Sequence, residues 1–226
     1  MLGTMSHSLT RYCEEGDDSI VSFLFRDHPS GWYVEVGSNH PIHENVTFIL
    51  SQMGWKGISL DPQIGLADKW NELRPSDSFY CEVVSGRGEI VNYSIYENSY
   101  LNSINDEAKS RAREDHQKVI KSVAMTSLTI NEVFQLVPSG NKVNFLSINC
   151  RGADLEIISS LDFEANSPEV IRIEMLYFNF DRPQVHPIYR LLRGKGYALI
   201  VKTFRVSFWV RINSEVAHWI PKVMMD

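Results

Sequence analysis

The chain has 226 residues, with 22 lysines and arginines against 28 aspartates and glutamates, for a net charge of -6. That length suits one α/β domain with a sizeable core, and the acidic balance excludes a broad nucleic-acid-binding surface while leaving room for a local basic pocket. No apolar run approaches the roughly 20 residues that span a bilayer, the opening residues lack the apolar core of a secretion signal, and Cys13, Cys81 and Cys150 show no paired spacing, so a reduced, cytoplasmic protein is expected.

Residues 1–30 read as an N-terminal extension with a lead-in helix over Ser19 to Phe25, ended near His28-Pro29. Residues 31–226 read as one domain. Tyr33 to Val36 is a short apolar strand closed by Glu35 and Gly37, and Gly37-Ser38-Asn39 is a tight turn. Val46, Ile49, Leu50 and Met53 have helical spacing over Asn45 to Met53, with Gly54 as a cap. Ile58 and Leu60 then lead to Asp61. A glycine turn after a first strand, with an acid about 20 residues later, is the arrangement that holds a nucleoside: the backbone comes close to the ligand and the carboxylate meets the ribose hydroxyls.

Ile64 to Leu73 reads as a second helix stopped by Arg74-Pro75. Phe79 to Val84 is a third strand, and Glu89 to Tyr96 alternates as a strand after the Gly86-Arg87-Gly88 turn. Asn98 to Asn105 is a polar loop and Asp106 to His116 a charged helix. Leu128 to Val137 carries the capping pair Thr129 and Glu132. Val143 to Ile148 is a nearly continuous apolar run, as a strand covered on both faces requires. A helix over Ala153 to Leu161, a buried strand over Val170 to Glu174 and a helix over Ile188 to Arg193 follow. Tyr197 to Val201 and Val206 to Ile212 are closely spaced and read as an antiparallel hairpin. This alternation predicts a three-layer α/β domain with a mostly parallel sheet. Ligands in that architecture sit at the carboxyl ends of the strands, where Glu35 to Asn39, Asp61, Ser85, Asn149 to Gly152 and Glu174 fall.

Six segments then occur in order: EVGSNHPIHENVT, GWKGISLDP, LRPSD, SLTINEVF, FLSINCRGADLEIISSLDF and PEVIRIE. Through them, from about Gly31 to Arg211, the chain resembles the FkbM-type family of S-adenosylmethionine-dependent methyltransferases. The resemblance implies a Rossmann-like class I methyltransferase fold, with a mostly parallel seven-stranded sheet and a C-terminal antiparallel hairpin. It implies S-adenosyl-L-methionine as cofactor and methyl transfer to oxygen on sugars of polysaccharides, glycolipids or natural products; some relatives methylate nitrogen in peptides. It puts Glu35, Gly37, Ser38 and Asn39 around the methionine part, Asp61 on the ribose with Pro62 beside it, and Val84 and Ser85 near the adenine. The chemistry agrees. This cofactor has no phosphate, so a full GxGxxG cradle is not required, and a charge-assisted hydrogen bond from a ribose hydroxyl to Asp61 contributes about 1.5–3 kcal/mol.

One segment departs from the family. Its usual Asp-x-Glu-Gly reads here Asn149-Cys150-Arg151-Gly152. The exchange raises the local charge by about three units, and at about 4 Å with an effective dielectric of about 20 each unit pair is worth about 4 kcal/mol. Arg151 therefore grips an acidic acceptor, pairs with Glu174 or Asp154, or marks a site that has lost activity. Hard oxygen ligands for magnesium are also lost, so no metal is expected.

The proton acceptor is not ordered by the sequence. His40 is either a general base or, like His43, an ordinary turn histidine. Glu174 either accepts a proton or forms a structural ion pair with Arg172 or Arg151. Asp154 favours a helix N-terminus. Tyr177, Phe178 and Phe180 either floor an acceptor pocket or pack in the core, and the run Glu107 to Lys118 is either a solvated face or part of a lid. The expected partner is a small-molecule or glycan acceptor, with no nucleic acid and no membrane span. Two other functions remain open: a non-catalytic relative that keeps the fold and binds, and N-methylation of a peptide, which needs no strong alcohol-deprotonating base.

Overall fold

The computed structural model describes residues 11–105 and 117–219. In chain order its strands are β1 (Trp32–Val36), β2 (Lys56–Leu60), β3 (Ser78–Tyr80), β4 (Val83–Ser85), β5 (Ile90–Tyr96), β6 (Val119–Thr129), β7 (Val143–Ile148), β8 (Val170–Glu174), β9 (Tyr197–Lys202) and β10 (Val206–Arg211). The α-helices are α1 (Asp17–Leu24), α2 (Phe48–Gln52), α3 (Leu66–Leu73), α4 (Ile130–Gln135), α5 (Asp154–Ser159) and α6 (Pro187–Gly194).

Seven strands form one sheet in the order β3-β2-β1-β7-β8-β10-β9. Its pairs are parallel except those of β10, which runs antiparallel to β8 and β9. The fold is thus the Rossmann-like α/β architecture with a closing hairpin. Strand side chains alternate between faces, and here both faces are buried. Val34, Val36, Leu146, Ile148, Ile171 and Ile173 pack with Ile130, Val133, Ile157, Ile158, Ile188 and Leu192 from α4, α5 and α6. Tyr33, Phe145, Val170 and Phe208 pack with Val21, Leu24, Phe25 and Leu50 from the α1 and α2 side. Each fully buried aliphatic or Phe side chain contributes about 1.5–3 kcal/mol, which is why the central strands read as unbroken apolar runs. Room must also be made locally: a Cβ on Gly57 would lie 1.7 Å from the Tyr33 ring of the neighbouring strand.

Three details differ from the expectations. The third strand divides, with β3 in the main sheet and β4 in a second sheet ordered β4-β6-β5. Strand β6 was not anticipated, because most of Val119 to Ala124 is exposed and shows no apolar face. It pairs antiparallel with β5 and parallel with β4. Helix α2 starts at Phe48 rather than Asn45, since the side chains of Asn45 and Thr47 are bound to Glu35. The expected capping box is present: Glu132 N–H donates to Thr129 Oγ1 at 3.3 Å, and Thr129 N–H to Glu132 Oε2 at 2.7 Å. The charged stretch Asp106 to His116 lies outside the described residues.

Candidate active site

The order of the sheet reverses at β1, which has β2 on one side and β7 on the other. A crevice opens at the carboxyl ends of the strands at such a point. The two edges approach closely. Gly37 N–H and Ser38 N–H both donate to Leu60 O, at 2.9 and 3.1 Å, and Asn149 N–H donates to Val36 O at 3.0 Å. Gly37 has φ +77°, and a Cβ there would lie 2.2 Å from Asn149 O. Only glycine fits this turn.

The turn aims Asp61. Asn39 N–H donates to Asp61 Oδ2 and Gln63 N–H to Oδ1, both at 2.9 Å. The carboxylate is thereby held in one orientation with lone pairs to spare on each oxygen. Burial raises its pKa above the ordinary carboxylate value, and the two N–H donors work against that rise. Trp70 Nε1–H donates to Asn39 O at 2.8 Å, so α3 braces the same turn.

A cavity of about 390 Å³ runs from this turn across the ends of β7 and β8, within the size range of small-molecule sites. Its wall carries Leu60, Asp61, Pro62, Val83, Val84 and Tyr93 from the side of β2, β4 and β5, and Asn149, Arg151, Arg172, Glu174 and Arg205 from the side of β7, β8 and the hairpin. Non-glycine residues with positive φ are uncommon and cost about 1–3 kcal/mol each. Asn39 (48°), Glu44 (54°) and Arg151 (50°) are three such residues, and all three lie on the cavity wall.

A family model described as the FkbM methyltransferase domain matches residues 35–199, more than half of the chain. The chain belongs to the FkbM methyltransferase family. It is therefore a methyltransferase by family, with the fold that the sheet order displays. No curated protein sequence matches it as a relative.

Within this FkbM domain the structure brings Gly37, Asn39, Asp61, Pro62, Val84, Asn149, Arg151 and Glu174 to one cavity. Four other predicted site residues are not on its wall. Glu35 is buried beneath the turn, where Oε2 accepts from Asn45 Nδ2 at 2.9 Å and Thr47 Oγ1 at 2.8 Å. Burial raises its pKa, and Arg74, Thr47 and Asn45 oppose the rise. Ser38 is buried too, with Oγ unpartnered among the described residues. Ser85 Oγ lies 2.7 Å from Ser127 Oγ, tying β4 to β6. His40 Nδ1 accepts the N–H groups of Ile42 and His43 at 3.1 and 3.2 Å, so the ring caps its own turn. Its pKa is lowered by burial, then by His43 and Lys69.

The carboxylates on the β7 and β8 side also differ from expectation. Arg172 is paired with Asp17, not with Glu174. Glu174 is 6 % exposed and lines the cavity, with no hydrogen bond or ion pair to its side chain among the described residues. Arg151, half-buried, likewise has no ion-pair partner among them. Asp154 shapes the turn after β7, its Oδ1 accepting from Cys150 N–H and Oδ2 from Gly152 N–H, each at 3.0 Å. Phe178 packs against the core, while Tyr177 and Phe180 are exposed, and none of the three lines the cavity. Among the described residues no cluster of three or more His, Cys, Asp or Glu is arranged for a metal, and no helix is long and apolar enough to cross a membrane.

Sequence reasoning missed the N-terminal wall. Glu14, Glu15 and Asp17 line the cavity together with Glu44. Arg205 Nε–H donates to Glu15 Oε1 at 2.8 Å, and Glu44 N–H donates to Tyr12 O at 2.8 Å. The segment thus straps the β1 side to the β9–β10 hairpin. A signal was available: a buried strand arginine such as Arg172 needs a carboxylate, and Asp17 and Asp18 stand together in the lead-in.

Proposed function

We propose that this protein methylates a sugar hydroxyl with S-adenosyl-L-methionine as donor, on an acceptor that carries an anionic group. The observation that carries the reading is Asp61, presented to the cavity with both oxygens fixed by backbone N–H groups. A carboxylate so held suits a cis diol. Leu60, Val83 and Val84 supply an apolar wall suited to an adenine ring. The cations suit an uncharged nucleoside better than a pyrophosphate, since Arg172 and Arg205 are already paired with Asp17 and Glu15. When bound, the cofactor supplies a methyl group on a sulfonium: the S–C bond breaks with its electrons left on sulfur, and the acceptor oxygen forms the new O–C bond and loses its proton.

The chain's own groups then have defined tasks. Asp61 holds the ribose, and Glu174, a carboxylate on the wall with no ion pair among the described residues, takes the hydroxyl proton. Arg151 holds the anionic group of the acceptor. The N-terminal strap and the turn after β7 fix donor and acceptor in line, and alignment supplies most of the acceleration.

Calorimetry with S-adenosyl-L-methionine tests the reading directly: absence of binding by the well-folded protein overturns it. A second reading, a non-catalytic binding protein, draws on Asn149 and Arg151 in place of the family's carboxylates. Screening neutral and anionic sugars, and amine or amide peptides, against wild type and Arg151→Glu separates the cases. Activity lost in the variant assigns Arg151 to the acceptor, whereas activity gained assigns the wild-type site to the non-catalytic reading.

A further inference from the structure

The turn after β7 and the loop after β5 meet on the cavity wall. Ser103 Oγ–H donates to Arg151 O at 3.2 Å, and Asn105 Nδ2–H donates to Gly152 O at 3.1 Å. The loop brings neutral polar groups to the cavity: Asn98, Ser99, Asn102 and Ser103 line it, with Asn149 from the turn. Tyr100, 45 % exposed, lines it beside them. Tyr100 N–H donates to Asn98 Oδ1 at 3.1 Å and Tyr96 N–H to Asn102 Oδ1 at 2.9 Å, so both amides are held in place. Amides and hydroxyls beside an aromatic ring suit a sugar, whose hydroxyls need such partners and whose C–H face needs an apolar one. Arg151 stands at the joint of loop and turn, half-buried, with no ion pair among the described residues. The other arginines of the wall, Arg172 and Arg205, are paired with Asp17 and Glu15. Glu14, Glu44 and Glu174 stand on the same wall.

Resting on the sugar-methylation reading above, we propose that the acceptor is a sugar acid: Arg151 holds its carboxylate, while its ring lies against Tyr100 and the polar groups of the loop. The planar guanidinium fork matches a carboxylate with two parallel hydrogen bonds. One guanidinium balances one negative charge. A phosphate monoester carries about -1.5 to -2 at neutral pH, and the acids of the wall oppose the excess. Attraction to Arg151 and repulsion by Glu14, Glu44 and Glu174 together select a single charge, since discrimination comes from rejecting competitors as well as from holding the right ligand. The ring and the charge are read by different residues, so the two contributions separate by substitution.

Ligand-observed NMR titrations of the protein saturated with S-adenosyl-L-homocysteine test this, with glucuronate, glucose, glucosamine, glucose-6-phosphate, glucose-6-sulfate and acetate as probes. Glucuronate should bind about tenfold more tightly than each of the others, the effect of one charge-assisted pair added to a sugar ring. In Arg151→Gln, glucuronate should fall to within about twofold of glucose, and Arg151→Lys should recover only part of the loss. Tyr100→Ala should weaken glucuronate and glucose by similar factors. Thermal melts report whether each variant folds, and the wild-type ranking needs no variant. Absent binding of glucuronate, equal or tighter binding of any other probe, or a glucuronate preference that survives Arg151→Gln overturns the inference and leaves the methyltransferase reading standing. Failure of S-adenosyl-L-homocysteine to bind overturns that reading first.

Discussion

Asp17 and Arg172 lie 155 residues apart and form a two-pronged ion pair: Nε and Nη2 both donate to Asp17 Oδ2, at 2.8 and 2.5 Å. Both residues are buried. The pair fastens α1 to the middle of β8, and so sets the wall formed by Glu14, Glu15 and Asp17. Asp17→Ala leaves a buried guanidinium uncompensated and should cost about 3–5 kcal/mol in urea unfolding. Asp17→Leu combined with Arg172→Met should recover most of that loss, because a buried pair contributes little net stability against an apolar replacement. A double variant as unstable as the single would show that the loss comes from elsewhere.

Arg74 is the hub beneath the Gly37 turn. It donates to Asp77 at 2.6 Å, Asn45 Oδ1 at 2.8 Å, Thr47 Oγ1 at 2.9 Å and Pro41 O at 3.2 Å, and also to the Tyr33 hydroxyl. Asn45 and Thr47 in turn hold Glu35. Arg74→Met should destabilise by about 3–5 kcal/mol, since it strands buried charge on Asp77 and Glu35. Arg74→Lys restores a charge but not the planar fork, so it should recover only part of the loss in the same denaturation experiment.

Gly37→Ala should separate the effects of binding and folding. The added Cβ meets Asn149 O at 2.2 Å and the backbone must keep φ +77°, a combination costing about 1–3 kcal/mol. Relief requires β1 and β7 to part at the cavity. Affinity for S-adenosyl-L-homocysteine should fall by more than tenfold in calorimetry, with the variant still cooperative on melting. Unchanged affinity would remove the turn from the binding site.

Asp61→Ala should weaken the same ligand by about 10–100-fold, the equivalent of one charge-assisted hydrogen bond. The pH dependence has a definite sign. Burial raises Asp61 above its ordinary value of 3.8, so ionising it costs folding stability as the pH rises from that value through the raised one. Ligand binding runs the other way, because the diol is held by the ionised carboxylate. Affinity for the uncharged thioether should therefore fall as the solution is acidified through the raised range, and the dependence should disappear in Asp61→Ala. A profile that does not change between the two proteins would count against a ribose on Asp61.

Much of the fold was legible in the chain because its signals are local. Val143 to Ile148 and Val170 to Glu174 read as buried strands from continuous apolar side chains, and Thr129 with Glu132 marked the start of α4. Gly37 and Asp61 pointed to a nucleoside crevice, and they meet through Asn39 N–H. Strand β6 was illegible because it stands half in solvent and lacks an apolar face. His40 looked like a base from its place beside the turn, yet Nδ1 is spent on the N–H groups of Ile42 and His43.

By itself, the sequence determined the strand and helix order, the glycine that the β1 turn requires and the family to which the domain belongs, since periodicity, backbone freedom and motif order are carried by neighbouring residues. Only the tertiary structure decided which carboxylate Arg172 takes, that the N-terminal acids wall the cavity, and that Glu174 lines it with no hydrogen bond or ion pair to its side chain among the described residues. Ion pairing and desolvation depend on distances between residues far apart in the chain, and folding alone sets those distances.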